Sequence, residues 1–271
     1  MNMILLSVYD LSLAAGLILL LALLSFRMKL NIEKQLVVAA IRTAVQLVLI
    51  GLVLKFLFEQ VNFWLIALLA SIMLLAAGRE VIARQHRGFT GGWGYGIGVM
   101  SMFVSSFTVT IMALIIVIQP DPWYMPQYAI PLLGMLLGNT MNGIALGMDR
   151  LTSSAWEQRQ IIESRLMLGE TWSQAIADIR HNSMRIGMIP MINAMAAAGI
   201  VSLPGMMTGQ ILAGSPPVEA VKYQILIMFL ITAGTGFGTL TAVWFASKRL
   251  FDERDRLRLD RFKKIRQVKS K

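Results

Sequence analysis

Residues 93–118 read WGYGIGVMSMFVSSFTVTIMALIIVI, with no charged side chain anywhere in the run. A helix of about 20 mostly apolar residues crosses the roughly 30 Å hydrocarbon core of a bilayer, and charge is largely excluded from that core. The stretch therefore predicts a membrane-spanning helix. Six more segments pass the same test, at 5–26, 36–57, 61–78, 129–148, 185–204 and 218–246. The last follows Ser215-Pro216-Pro217, where proline suits a helix start because its missing N–H would have had no partner there. Composition agrees: 15% of the 271 residues are charged, against about a quarter in a soluble domain. The fold class predicted is an all-α integral membrane protein of about seven transmembrane helices.

The run from Leu11 to Phe26 is read as a retained span. Asp10 stands where a signal peptide would carry basic residues, and no small-residue cleavage site follows. Basic residues orient the bundle. With the N-terminus outside, the inside segments 27–35, 79–92, 149–185 and 247–271 hold 3, 3, 5 and 11 Arg and Lys, which is 22 of the 25. Cytoplasmic loops carry this excess, so the expected topology is N-out and C-in. Arg42, Lys55 and Lys222 lie near helix ends, where long side chains snorkel to the interface. Trp64, Trp93, Trp123, Tyr124 and Tyr223 fall at the proposed boundaries, as interfacial rings do. The net charge of +10 is spread over these segments and the C-terminus, so no nucleic-acid partner is expected. Gly94/Gly98, Gly134/Gly138, Gly143/Gly147 and Gly234/Gly238 are four apart, a spacing that lets helix backbones approach, within one chain or between two. The membrane domain is placed at 1–248 and a basic cytoplasmic tail at 249–271, positioned to meet anionic lipid.

The longest internal segment, 149–185, predicts a folded helix–glycine–helix element. Ser154-Ala155-Trp156-Glu157 and Thr171-Trp172-Ser173-Gln174 both have capping-box spacing, and Gly169 suits the stop between two helices. Trp156, Ile162, Leu166, Trp172, Ile176 and Ile179 give it apolar surface, either for the bundle and membrane or for a partner. Glu163, Gly169 and Ile179 stand in the frame E-x5-G-x9-I, which resembles the cytoplasmic loop by which ABC importer permeases dock on their ATPase. The match is partial: Ser164 and Arg165 replace the usual small residues, and no Leu-Pro follows Ile179. On that resemblance the ATPase-coupling residues are Glu163, Leu166, Gly169, Trp172 and Ile179.

Residues 201–214, VSLPGMMTGQILAG, then PVEAVKYQI at 217–225 and PLLGMLLGN at 131–139, resemble the FetB/YbbM family of bacterial ABC permeases, with similarity over nearly the whole chain. The resemblance implies a permease homodimer joined to two separately encoded ABC ATPase subunits in a bacterial plasma membrane. It also implies an iron-export role, with plant relatives linked to aluminium tolerance. ATP and Mg would belong to the partner, because this chain lacks a phosphate loop: 209–215 offers two glycines and no Lys. No cofactor is assigned to this chain.

Within the membrane, Asn139, Thr140, Asn142 and Asn193 are polar residues that either bridge helices or line a hydrated route. Met188, Met191 and Met195 continue a stripe from Met184 on one helix face. Thioether sulfur suits soft ions, and it equally fills apolar gaps. Pro190 and Pro204 are expected to bend or end the sixth span, with Pro204, Gly205, Met206, Met207 and Gln210 as an outer gate or as packing. No residue set for a resident metal is evident, since both histidines, His86 and His181, lack a ligand partner at metal spacing. A secondary transporter or channel would show internal repeats or a row of ionisable groups. An intramembrane enzyme would need a catalytic cluster, and the chain has no Cys. A reporter fused after Lys271 should be active only as a cytoplasmic probe, and periplasmic activity would overturn the span assignment.

Overall fold

Charge-free runs become helices in this protein because hydrocarbon offers the backbone no water to bond, and a helix satisfies its N–H and C=O groups within the segment. The computed structural model describes residues 7–263, and six of its helices are long and apolar enough to cross a membrane. Its described residues divide into two compact units, one reaching to residue 62 and including 212–215, the other formed by 63–211 and the described residues from 216 on.

In the first unit, α1 (Val8–Arg27) and α2 (Glu33–Glu59) are joined through residues 28–32. Ser7 and Asp10 close a capping box on α1: the Ser7 hydroxyl accepts from the Asp10 N–H, and the Asp10 carboxylate accepts from the Ser7 N–H at 2.8 Å. Asp10 is thus a helix cap. Leu17, Leu19, Leu47 and Val48 are all exposed, the pattern of a pair solvated by hydrocarbon. Residues 5 and 6 of the expected first span lie outside the described residues.

The second unit contains α3 (Phe63–Ala83), then the opening run 93–118, built from α4 (Trp93–Met102), a π-helical turn (Phe103–Phe107), α5 (Thr108–Met112) and a second π-helical turn (Ala113–Ile118). After it come α6 (Pro126–Glu157), α7 (Arg159–Met167), α8 (Trp172–Ala175), α9 (Ala177–Ala197), α10 (Gly205–Leu212) and α11 (Pro217–Arg249). Pro217 takes the first turn of α11, as its missing donor favours. The 3₁₀ turn Leu259–Arg261 closes the described chain.

The core lies where α6, α9 and α11 meet, and glycine makes that meeting possible. A Cβ on Gly187 of α9 would stand 2.6 Å from the Gly143 carbonyl oxygen of α6 and 2.6 Å from Thr239 Cγ2 of α11. One on Gly143 would meet Thr235 Cγ2 at 2.6 Å, and one on Gly147 would meet Val243 Cγ2 at 2.9 Å. Lipid tails are as apolar as leucine, so helices in a bilayer gain by close van der Waals packing rather than by escaping water. Leu136, Ile144, Met148, Leu151 and Val243 fill the space around this seam and are buried.

Two expectations change. The fifth span does not stop near 148: α6 runs on to Glu157, because Leu151, Thr152 and Ala155 stay buried on the core. Ser154 therefore sits inside a helix with its hydroxyl buried, and the new helix starts past Gln158. The segment 185–204 belongs to α9, which begins at Ala177 and is not among the six strongly apolar helices, since it carries Asp178, Arg180 and Arg185. It passes through Pro190 and ends at Ala197, where Gly199 at φ +81° turns the chain; Pro204 leads into α10 instead.

Gly187→Leu should lower the protein's stability by about 1–3 kcal/mol, the usual cost of overpacking a filled core. Gly138→Ala, where the added carbon meets nothing within 4 Å, should be close to neutral. Thermal unfolding in detergent reads both, and equal midpoints for the two variants would remove the seam from its central place.

Candidate functional site

At the end of the second unit where 79–92, 149–185 and 247–263 gather, α7 and α8 fold as one rigid corner. Gly169 has φ +91°, a left-handed value that glycine adopts without a side-chain penalty. The Glu170 N–H donates to the Arg165 carbonyl at 3.2 Å and the Gly169 N–H to the Leu166 carbonyl at 3.0 Å. These two bonds form a Schellman motif, which satisfies the last carbonyls of α7. Thr171 and Gln174 then close the second expected capping box, ahead of Trp172. Arg165 bridges the corner, pairing with Asp178 at 3.0 Å.

The corner is seated by its apolar side chains. Ile162, Ile176 and Ile179 are buried in the same cluster as Leu151, Ala246 and Leu250, and Leu166 and Trp172 pack against it. Trp172 also lies over Phe251, with ring centroids 5.9 Å apart, and its backbone N–H reaches the Asp255 carboxylate at 3.4 Å. Of the residues expected to couple, Leu166, Trp172 and Ile179 therefore hold the element to the bundle. Glu163 is half-buried beside Glu170, and both face Arg254 and Arg256 across a groove of about 400 Å³. What projects outward is Met167 and Leu168, 84% and 85% exposed. Sequence reasoning missed these two, although an apolar pair directly before a stop glycine was the available signal.

Residues 250–263, the first part of the expected basic tail, fold back onto this end; residues 264–271 lie outside the described residues. Phe262 stacks on Phe89 and meets Trp156 edge-on, while the Arg87 guanidinium sits 4.2 Å above the Trp156 ring. Arg261 donates to the carbonyls of Arg249 and Phe251 at 2.6 and 2.9 Å, capping the end of α11. Arg256 donates to Asp252 from its backbone N–H and its guanidinium, and with the Arg254 N–H this holds the Asp252 carboxyl down at about 2. Two bonds from the Arg258 guanidinium do the same for Asp260. His86 is tied to Asp149 through its backbone N–H at 2.7 Å and its ring at 3.0 Å, while its side chain stays exposed.

Deeper in the unit, the first π-helical turn brings Ser105 and Ser106 against α6 and α11. The Ser106 hydroxyl reaches Thr140 Oγ1 at 3.3 Å, and a Cβ on Gly238 would meet Ser105 Oγ at 2.8 Å. Thr235 and Thr239 add buried hydroxyls without a partner among the described residues. Asn139 donates to the Met135 carbonyl of its own helix, Asn142 accepts from Arg84, and Asn193 is exposed. Met188 lies against Gly236, Met191 is buried near Leu136 and Ile231, and Met195 accepts from the Thr232 hydroxyl. In α10, Met206 packs on that second cluster, Met207 is half-buried, and the Gln210 amide oxygen is buried without a partner among the described residues. Among the described residues no three His, Asp or Glu side chains converge as a metal site.

The model of the Uncharacterised protein family (UPF0014) matches residues 8–251. The chain belongs to this family. Among UPF0014 members, it is 40% identical to the UPF0014 membrane protein slr1647 of Synechocystis over 84% of this chain and 87% of that one. It is 30% identical to the probable iron export permease protein FetB of Escherichia coli, covering 94% and 96% of the two chains. It is also 30% identical to the protein ALUMINUM SENSITIVE 3 of Arabidopsis thaliana, covering 86% and 84%. No solved structure matches. The chain is thus a multi-pass inner-membrane protein of a family that includes a named permease.

Proposed function

We propose that this UPF0014 chain is the membrane-spanning permease subunit of an ABC transporter. It works as a homodimer with two separate ATPase subunits, which carry ATP and Mg, and its cargo is an exported metal ion. Iron is favoured through the name of the Escherichia coli relative. The orientation that goes with this reading puts the basic end in the cytoplasm, as the Arg and Lys distribution requires.

One observation carries the reading: the α7–Gly169–α8 corner is seated on the bundle by Ile162, Ile176 and Ile179 and presents Met167 and Leu168 outward. An element that transmits force must be stiff at its base and adhesive at its tip, and this one is both. Glu163 supports the dock at its flank. Asn139, Thr140, Asn142, Met188, Met191, Asn193 and Met195 are the proposed translocation residues. Pro204, Gly205, Met206, Met207 and Gln210, at the other end of α9, are the proposed outer gate.

Co-purification from cells expressing both subunits tests the coupling site. M167E with L168E should leave the permease folded and reduce the bound ATPase more than tenfold, because a central apolar contact is worth about 2 kcal/mol or more. Gly169→Val should add about 1–3 kcal/mol of backbone strain with no clash, as open space surrounds that position, and it should slow transport while sparing the bundle. If both variants retain the ATPase and transport at the wild-type rate, the corner is not the coupling element. A cysteine at Met207 or Gln210 should change its reactivity to an external thiol reagent between ATP-bound and nucleotide-free complexes; identical labelling would remove the gate.

A further inference from the structure

An open cleft of about 870 Å³ lies beside the C-terminal end of α11; Met167 and Leu168 are not part of it, although Arg254, Asp255 and Arg256 line both it and the groove beside Glu163. Its apolar wall includes Trp93 and Ile97 of α4 with Phe245 of α11; of its cations, Arg256 is held by Asp252 and Arg261 by main-chain carbonyls, which leaves Lys248, Arg249 and Arg254. The Arg249 guanidinium sits 4.1 Å above the Trp93 ring, and the Lys248 ammonium 5.7 Å from the Trp244 ring. Cation–π contact orients these groups but leaves their charge unneutralised. Among the described residues no carboxylate pairs with any of the three. The acidic side chains nearby are committed elsewhere: Asp252 to Arg256 and two backbone N–H groups, and Asp255 to the Trp172 backbone N–H. Glu253 remains at the exposed rim.

The cleft therefore offers excess positive charge on one side and exposed ring and aliphatic surface on the other. It also lies at the level where two membrane helices end, at Trp93 and Arg249. Trp at that level marks the membrane–water interface, and the phosphates of a bilayer lie there too. We infer that this cleft binds the headgroup phosphate of an anionic phospholipid, held by Lys248, Arg249 and Arg254, with the acyl chains running along Ile97 and Phe245. A free phosphate compound shares the charge but has no use for the apolar wall. This inference needs only the membrane location and not the transport reading.

Quenching of tryptophan fluorescence by brominated lipid tests it. The full chain is reconstituted in phosphatidylcholine vesicles containing a small fraction of dibrominated phosphatidylglycerol, or the same fraction of dibrominated phosphatidylcholine. The anionic lipid should quench more strongly at equal fraction, and Trp93→Phe should remove most of the excess. Near a membrane surface one basic residue is worth about fivefold in affinity for anionic lipid. R249Q should weaken the preference by about that factor, and K248Q/R249Q/R254Q should abolish it. Where R249Q fails to fold, K248Q and R254Q, both at exposed positions, carry the same test. Equal quenching by the two lipids, or a preference unchanged in the triple variant, overturns the site. Displacement of the anionic lipid by millimolar pyrophosphate would assign the cleft to a soluble phosphate compound and overturn the lipid reading.

Discussion

The approach of α9 to α6 and α11 at Gly187 governs the second unit. Inside hydrocarbon there is little hydrophobic gain from bringing two helices together, so association rests on how many atoms touch. Removing every Cβ from the contact lets the Gly187 backbone lie against Gly143, with Thr239 closing the third side. The hydroxyls of Thr235 and Thr239 are small enough to fit this seam, and a leucine at either place would hold the helices apart. Since α9 follows α8 almost without a break, fixing α9 in the seam also fixes the corner at Gly169.

A second constraint operates at the basic end. Charges that in the sequence look like a tail for a lipid surface are partly consumed in folding. Arg261 caps carbonyls, Arg256 and Arg258 restrain carboxylates, and Arg87 lies on Trp156. Aromatic rings at Phe89, Trp156, Trp172, Phe251 and Phe262 provide the apolar floor for these contacts. Around the cleft beside α11, Lys248, Arg249 and Arg254 have no carboxylate partner among the described residues, so folding leaves part of the positive charge available there.

Much of this was legible in the sequence. The run 93–118 is bounded in the structure as it was read, because a charge-free segment between polar loops has only one way to satisfy its backbone. Gly169 and the Thr171 cap were legible for a local reason: both depend on residues within one turn. Ser154 misled because the spacing of a capping box also occurs inside a helix, and only burial of Leu151 and Ala155 on other helices decides which it is. The start of α9 was missed for a similar reason. Arg180 and Arg185 lower the apolar signal, yet charge does not break a helix, and Arg180 finds Ser173 and the Trp172 ring. Which apolar residues of the corner face inward and which project depends on the reversal at Gly169, a tertiary matter that periodicity cannot resolve over nine residues of α7.

The unbroken length of α6 has a mechanical meaning. Its 32 residues make a rod of about 48 Å, longer than a bilayer core is thick, and one residue, Gln158, separates it from α7. If the corner at Gly169 has the proposed coupling role, a displacement applied there would enter α6 with almost no slack and emerge at Pro126 as a shift or rotation of the rod. Pro131 lacks an N–H and leaves a hydrogen bond unmade near the far end, so on the proposed role the rod would bend most readily at the end away from the corner.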